Sequence, residues 1–264
     1  MGNLENKTKL ILDIKKFAVK ELGIAPNNSF KRVNNIDAVY ALYASRKDKI
    51  KSVIGGKWKY KPYENKNDCE KEEKFLKARG YDVLKVKFEA WADKNFQITN
   101  SLIACSKTRI AYIVLHENFH IHCEEKKIFL EPSIEESLGD CFAYQGSLEY
   151  FASNSSMIGH IKKDFQEWQK FFYFVNKYAT ILKESYKKSE AEGRKALIRA
   201  EREGKKIQNI VPPINNAFFV SQELYASMAK PVYEAFKDIE PREYITNRKK
   251  IYDALRKIKY KKLN

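Results

Sequence analysis

The stretch LHENFHIHCEEKKIFLEPSIEESLGDCF, residues 115–142, is the part of the sequence from which the fold and a possible metal site are predicted. It contains three of the four histidines in the sequence, together with a dense set of carboxylates. Apolar residues at helical spacing predict two helices, at about 99–123 and 134–153, joined by a loop around Pro132. The stretch is therefore either a metal site or a charged helical hairpin that happens to carry histidines.

The pentapeptide HENFH places His116 and His120 four residues apart, so both imidazoles lie on the same face of a helix. Two imidazoles at this spacing can bind one tetrahedral Zn²⁺ from one side. In the H-E-x-x-H arrangement of zinc peptidases the glutamate, here Glu117, is the general base. His122 faces another side of the helix, and we interpret it as structural. The spacing predicts one Zn²⁺, with His116 and His120 as ligands and Glu117 as a catalytic residue.

The second predicted helix offers the third protein ligand that a zinc site needs. Glu136 and Asp140 lie four residues apart and share a helix face, so we predict Glu136 as the ligand and Asp140 as hydrogen-bond partner of a ligand imidazole. Two alternatives stay open. Ser133-x-x-Glu136 also fits a capping box at the start of the helix. Glu135 is an alternative ligand, although it points about 100° away from the face of Asp140.

The rest of the chain predicts a mainly helical protein with a small sheet, an α+β fold. Helical patterns cover residues 35–53 and 157–185, whereas the alternation in YDVLKVKF predicts a strand at 83–88. The absence of internal repeats and low-complexity linkers favours a single domain over residues 1–264. Within it, the charged stretch 183–207 is predicted to form an exposed helical arm.

Charge and composition limit the class of protein. Fifty Lys and Arg against 34 Asp and Glu give a net charge of +16, which suits nucleic acid or an acidic surface. The aromatic residues do not interleave with the basic run, so we expect solvated lysines and no nucleic acid as the primary partner. No run approaches the about 18 apolar residues of a membrane span, and no export signal is visible. We therefore expect a cytoplasmic protein.

H-E-x-x-H followed by E-x-x-x-D resembles the pattern of the gluzincins, the thermolysin-like zinc peptidases, with two antiparallel ligand helices. Segments along most of the chain resemble the predicted bacterial zinc aminopeptidase family called Aminopep. These segments are FAVKELGIAPNNSF, KYKPYE, LKARGYDV, IVLHENFH, IEESLGDCFAYQGSLEYF and PPINNAFFVSQELY. The chain departs from the family where Lys61-Pro62 stands in place of Arg-Gly between two tyrosines. The resemblance implies zinc, peptide-bond hydrolysis and a preference for N-terminal residues.

The predicted chemistry needs a donor that helps to hold the oxyanion of the transition state. A phenol is a suitable neutral donor. The resemblance points to Tyr60 or Tyr63, and Tyr225 is a third candidate for this catalytic role. The sequence does not choose among the three.

Recognition of a peptide substrate requires further side chains. Glu135 and Glu89 are candidates for binding the α-ammonium group of an N-terminal residue. Asn215 and Asn216 either bind the substrate backbone or cap the helix that follows Pro213. The predicted function is a zinc-dependent aminopeptidase. An endopeptidase or dipeptidase on the same zinc site stays open, as does a basic nucleic-acid-binding or partner-binding protein with a structural or inactive metal site.

Overall fold

The structure is a computed structural model that describes residues 2–33, 36–55, 59–90, 96–207 and 213–261, without the side chains of residues 2–3 and 259–261. The described residues are mainly helical with a small antiparallel sheet, which confirms the predicted α+β class. They divide into two compact units, and each unit is described by itself. The single domain over residues 1–264 stays a prediction.

Among the described residues the strands come early and helices make up most of the rest. The strands are Val39–Ser45 (β1), Lys61–Tyr63 (β2) and Asp82–Phe88 (β3). The helices are Gly2–Lys20 (α1), Lys66–Ala78 (α2), Asn100–Ala104 (α3), Lys107–Glu125 (α4), Pro132–Tyr150 (α5), Ser155–Lys188 (α6), Glu190–Gly204 (α7), Asn216–Ala226 (α8), Ala229–Phe236 (α9), Pro241–Thr246 (α10) and Arg248–Lys261 (α11). In these ranges no helix has the length and apolar character needed to cross a lipid bilayer.

The first unit comprises Met1–Ala38, Glu89–Phe165 and Met228–Asn264. Helices α1, α4 and α5 pack around its apolar core. Gly146 on α5 permits this packing, because a Cβ atom there would lie 2.9 Å from Leu22 and 3.1 Å from Leu115. The close approach brings α5 against the face of α4 that carries the H-E-x-x-H motif.

Helix α4 begins at a side-chain cap, whereas α5 does not. Ser106 lies between α3 and α4. It caps α4 by accepting a hydrogen bond from the backbone N–H of Arg109 at 3.2 Å. Helix α5 begins with Pro132 in its first turn and has no side-chain cap. Ser133 therefore lies inside the helix, where its carbonyl accepts a hydrogen bond from Ser137 at 2.7 Å. The capping-box alternative for Glu136 is wrong for this reason.

The second unit, Val39–Phe88 and Gln166–Ser227, contains the antiparallel sheet with strand order β2-β1-β3. Helices α2 and α8 pack against it. The predicted helix at 35–53 is wrong, because residues 39–45 form the central strand and all seven are buried. A strand that is buried on both faces shows no polar alternation, so the pattern VYALYAS does not distinguish a strand from a helix.

The segment 183–207, predicted as a charged arm, contains the end of α6 and all of α7. Ser189 separates the two helices and caps α7 by accepting a hydrogen bond from the backbone N–H of Glu192 at 3.1 Å. Most of its charged side chains are exposed, whereas Ala196 and Ala200 are buried in the core of the second unit. Its role as an arm stays a prediction.

Candidate functional site

Three predicted metal ligands converge between α4 and α5 in the first unit. The Nε2 atoms of His116 and His120 lie 3.0 Å apart. Oε2 of Glu136 lies 3.2 Å from Nε2 of His116 and 3.6 Å from Nε2 of His120. The group offers two imidazole nitrogens and one carboxylate oxygen within 4.8 Å of one another, an arrangement that could hold a metal ion.

The other nitrogen of each imidazole faces a second carboxylate. Nδ1 of His116 lies 3.0 Å from Oδ1 of Asp140, and Nδ1 of His120 lies 3.0 Å from Oε1 of Glu135. When each Nδ1 carries a proton toward its carboxylate, the Nε2 atoms keep their lone pairs on the side of Glu136. This is the tautomer that a metal-binding imidazole requires.

These contacts separate the roles of the two adjacent glutamates on α5. Glu136 faces the Nε2 atoms of both imidazoles, whereas Glu135, the alternative ligand, contacts Nδ1 of His120. The contact between Glu135 and His120 was missed from the sequence. No spacing rule within one helix could have found it, because it depends on how α4 and α5 pack against each other.

Buried charges perturb the acid–base properties of the site. Burial alone would lower the pKa of His120, but Glu136 and Glu135 outweigh it and raise this pKa to about 9. The same competition, with Asp140 and Glu136, raises the pKa of His116 well above its ordinary value. Burial would raise the pKa of Glu136, but the two histidines lower it to about 2. Glu136 is therefore an anion at neutral pH.

Glu117 follows His116 on α4 and is half-buried. Burial raises the pKa of its carboxyl group, the two histidines oppose this shift, and Glu136 and Glu89 add to it. A carboxylate with a raised pKa beside a cluster of imidazoles is a stronger proton acceptor than one in water. This environment suits the predicted role of Glu117 as a general base.

Two residues of the site were not anticipated. Tyr112 lies one turn before His116, and its hydroxyl donates a hydrogen bond to Oδ1 of Asp140 at 2.5 Å. Gly139 on α5 leaves room for His116, because a Cβ atom there would lie 3.3 Å from both Cε1 and Nδ1 of the imidazole. The sequence signals were the i, i+4 spacing of Tyr112 and His116 and the glycine directly before Asp140.

The loop GIAPNNSF, residues 23–30, is hydrogen-bonded to side chains of α4. The side-chain N–H of Asn27 donates to Oδ1 of Asn118 at 2.8 Å, and Asn118 donates to the carbonyl of Val114 at 2.7 Å. The backbone N–H of Ala25 donates to Nδ1 of His122 at 2.9 Å. His122 is buried, and burial lowers its pKa to about 4, in keeping with its predicted structural role.

Glu89 lies at the edge of the first unit and near Arg109. The two side chains are 32% and 34% exposed, and Oε2 of Glu89 lies 3.5 Å from a guanidinium nitrogen of Arg109. The guanidinium carbon lies 5.5 Å from the ring centroid of Tyr112, which itself stacks on His116 with centroids 6.0 Å apart. Glu89 is therefore an accessible carboxylate connected through these contacts to the cluster.

The three tyrosine candidates belong to the second unit. The ring of Tyr60 packs edge-on against Tyr43 with centroids 5.3 Å apart, and Nζ of Lys61 lies 5.2 Å from the ring centroid of Tyr63. Tyr225 is partly exposed on α8. The predicted role of these tyrosines as oxyanion donors stays a prediction.

Asn215 and Asn216 also belong to the second unit, and both are engaged in hydrogen bonds. Asn215 caps α8 by accepting from the backbone N–H of Phe218 at 3.0 Å, one of the two roles expected from the sequence. Asn216 is fully buried, and its side-chain N–H group donates to the carbonyls of Arg46 and Lys47 at 3.0 and 3.1 Å. Substrate binding by either residue stays a prediction.

Comparison with known proteins identifies the family of the chain. The family model Aminopep, described as "putative aminopeptidase", matches residues 2–262. This match confirms the family that the motifs predicted, and it extends over almost the entire chain. No curated protein and no solved structure matches the chain.

Proposed function

The chain belongs to the Aminopep family, and we propose that it is a zinc-dependent aminopeptidase whose metal centre is formed by His116, His120 and Glu136. The convergence of these three side chains on one point carries the proposal. Two imidazole nitrogens and one carboxylate oxygen are the ligand set of many catalytic zinc sites, which keep a further position for water or substrate.

The charge of the site also fits a divalent cation. Four carboxylates, those of Glu117, Glu135, Glu136 and Asp140, surround two imidazoles. Buried carboxylates in excess over cationic partners are costly without a compensating charge. A zinc ion at the Nε2 atoms would offset that excess. Asp140 and Glu135 would keep each imidazole in the tautomer that binds metal.

A zinc ion bound here would supply a Lewis acid for the scissile carbonyl and an acidified water as nucleophile. Glu117, which follows the ligand His116 on α4, would accept the proton from the attacking water. The protonated Glu117 would then donate this proton to the leaving amine. Asp140 would hold the ring of His116 in place through Nδ1 during both steps.

We assign recognition of the substrate α-ammonium to Glu89 and not to Glu135. Glu135 is only 7% exposed, and its carboxylate contacts Nδ1 of His120. Glu89 is accessible, and its charge contributes to the raised pKa of Glu117, which puts it within Coulombic reach of the proposed base. An ammonium group at Glu89 would orient the first residue of a peptide toward the cluster.

The test is Glu117→Gln, measured by zinc content and by hydrolysis of aminoacyl p-nitroanilides and their N-acetylated forms. We expect Glu117→Gln to keep its zinc content and to lower kcat about 10²–10⁴-fold. The wild-type protein should hydrolyse the free-amine substrates and not their acetylated forms. The matched control is Glu125→Gln, an exposed glutamate at the end of the same helix, which should keep both zinc and activity.

Each contrary result identifies a different error. Full activity in Glu117→Gln, or a purified protein without zinc, would refute the mechanism. Hydrolysis of acetylated and free substrates at equal rates would replace the aminopeptidase by an endopeptidase on the same site. Salt-dependent binding of nucleic acid, without hydrolysis and insensitive to chelators, would favour a basic binding protein.

A further inference from the structure

Tyr112 is the side chain next to the metal cluster that the proposed mechanism leaves without a role. It lies one turn before His116 on α4, and its ring is nearly parallel to the imidazole, at an interplanar angle of 18°. Its hydroxyl donates to Oδ1 of Asp140 at 2.5 Å. Burial, followed by the charge of Asp140, raises the pKa of Tyr112 well above its ordinary value of 10, so the hydroxyl remains a donor at neutral pH.

One oxygen of Asp140, Oδ1, contacts both Tyr112 and His116. Oδ1 accepts the hydrogen bond of Tyr112 and lies 3.0 Å from Nδ1 of His116. The side chain of Asp140 is only 14% exposed to solvent. An aspartate carboxylate rotates over a broad range when only one contact restrains it. The hydrogen bond from Tyr112 and the close contact with Nδ1 of His116, both at one oxygen, restrict that rotation to the orientation that faces His116.

We propose that Tyr112 is a positioning residue whose hydroxyl holds Asp140 in the orientation that directs Nε2 of His116 to the metal. The proposal rests on the metal site of the proposed function and extends it by one residue. The Tyr112 hydroxyl acts through Asp140, so removing this hydroxyl should change metal affinity without removing a ligand.

The test is Tyr112→Phe, which keeps the ring and removes only the hydroxyl. We expect the Kd for Zn²⁺, measured by competition with a chromophoric chelator, to rise about tenfold, the low end of the effect of outer hydrogen-bond partners. Cobalt(II) in place of zinc should show a changed visible absorption spectrum, because the ring of His116 is no longer held in one orientation.

The matched control is Tyr244→Phe. Tyr244 is another buried phenol of the first unit, and its hydroxyl also donates to a side-chain oxygen on α5, that of Gln145 at 2.9 Å. Tyr244→Phe should lower the melting temperature about as much as Tyr112→Phe while leaving zinc affinity and the cobalt spectrum unchanged. The double variant Tyr112→Phe/Asp140→Asn should bind zinc no more weakly than Asp140→Asn alone.

Wild-type zinc affinity in Tyr112→Phe, or equal losses in both phenylalanine variants, would overturn the assignment. Site-specific 4-aminophenylalanine in place of Tyr112 keeps an N–H donor and should restore affinity, and it also serves if Tyr112→Phe does not fold. A tenfold loss with this donor present would overturn the assignment as well. A wild-type protein that binds zinc but hydrolyses nothing would refute the proposed activity, whereas these affinities would still decide the role of Tyr112.

Discussion

Two helical hairpins of this chain, α4–α5 and α6–α7, carry charged residues in different surroundings. In the first unit, α4 and α5 enclose the acidic residues of the histidine cluster, and Glu135 and Glu136 are 7% and 6% exposed. In the second unit, α7 and residues 166–188 of α6 keep their charges in solvent. The side chains of the pair Lys187–Glu184, for example, are 71% and 60% exposed.

The difference shows that charge spacing along a helix does not reveal the surroundings of the charges. Pairs such as Lys195–Glu192, with side chains 73% and 48% exposed, contribute little to stability because water and salt screen them. The buried carboxylates on α5 lack that screening, so each depends on an imidazole partner. The buried hairpin therefore holds its carboxylates and imidazoles in a fixed geometry, with pKa values shifted by burial and by one another, as chemistry requires.

Removal of zinc should have the largest effect and should distinguish the two hairpins. At free zinc 1,000 times Kd, bound metal would stabilise the folded protein by about 4 kcal/mol, which a chelator removes. Amide hydrogen exchange, followed by mass spectrometry, should become faster in α4 and α5 after chelation and stay the same in α7. Equal acceleration in both hairpins would contradict the assignment of the metal to α4 and α5.

The pH dependence of the metal-free protein should be the next largest effect. The pKa of His120 is about 9 in the folded protein, against an ordinary value of 6.5. A raised pKa means that the folded state binds the proton more tightly, so this stabilisation is complete below pH 6.5 and is lost as the pH rises through about 9. The melting temperature of chelated protein should fall over that interval, and His120→Asn should flatten the decline. An unchanged decline in His120→Asn would assign it to other groups.

A third comparison uses glycines that contact a ring in each hairpin. Gly139→Ala would place a methyl group 3.3 Å from the ring of His116, so we expect about tenfold weaker affinity for zinc, the low end for changes next to a ligand. In the exposed hairpin, Gly193→Ala would place a methyl group 2.1 Å from the ring of Tyr186. That variant should lower stability by about 1–3 kcal/mol through overpacking and leave zinc affinity unchanged.

The control for both glycine variants is Gly159→Ala, because no atom lies within 4 Å of the added Cβ. It should leave zinc affinity unchanged and keep or slightly raise the melting temperature, since alanine favours helix. Weaker zinc binding in Gly193→Ala, or unchanged binding in Gly139→Ala, would remove the distinction between the hairpins. Zinc affinity and thermal unfolding of the metal-free variants are the two measurements needed.

The sequence predicted helices where one face alone is apolar and failed where a segment is buried on all sides. The pattern at 157–185 corresponds to α6, and the alternation at 83–88 corresponds to β3, because both elements have a polar and an apolar face. Residues 39–45 are entirely buried as a central strand, so the period that distinguishes strand from helix is absent. The predicted helix at 99–123 missed the break at Ser106, where a local cap starts α4 anew.

Residue spacing alone predicts which side chains share a helix face, since 3.6 residues per turn bring His116 beside His120 and Glu136 beside Asp140. The contacts of Glu135 with His120 and of Tyr112 with Asp140 follow instead from the packing of α4 against α5. Spacing along one helix is a property of the backbone. The register between two helices depends instead on how closely they pack, which glycines such as Gly139 on α5 permit.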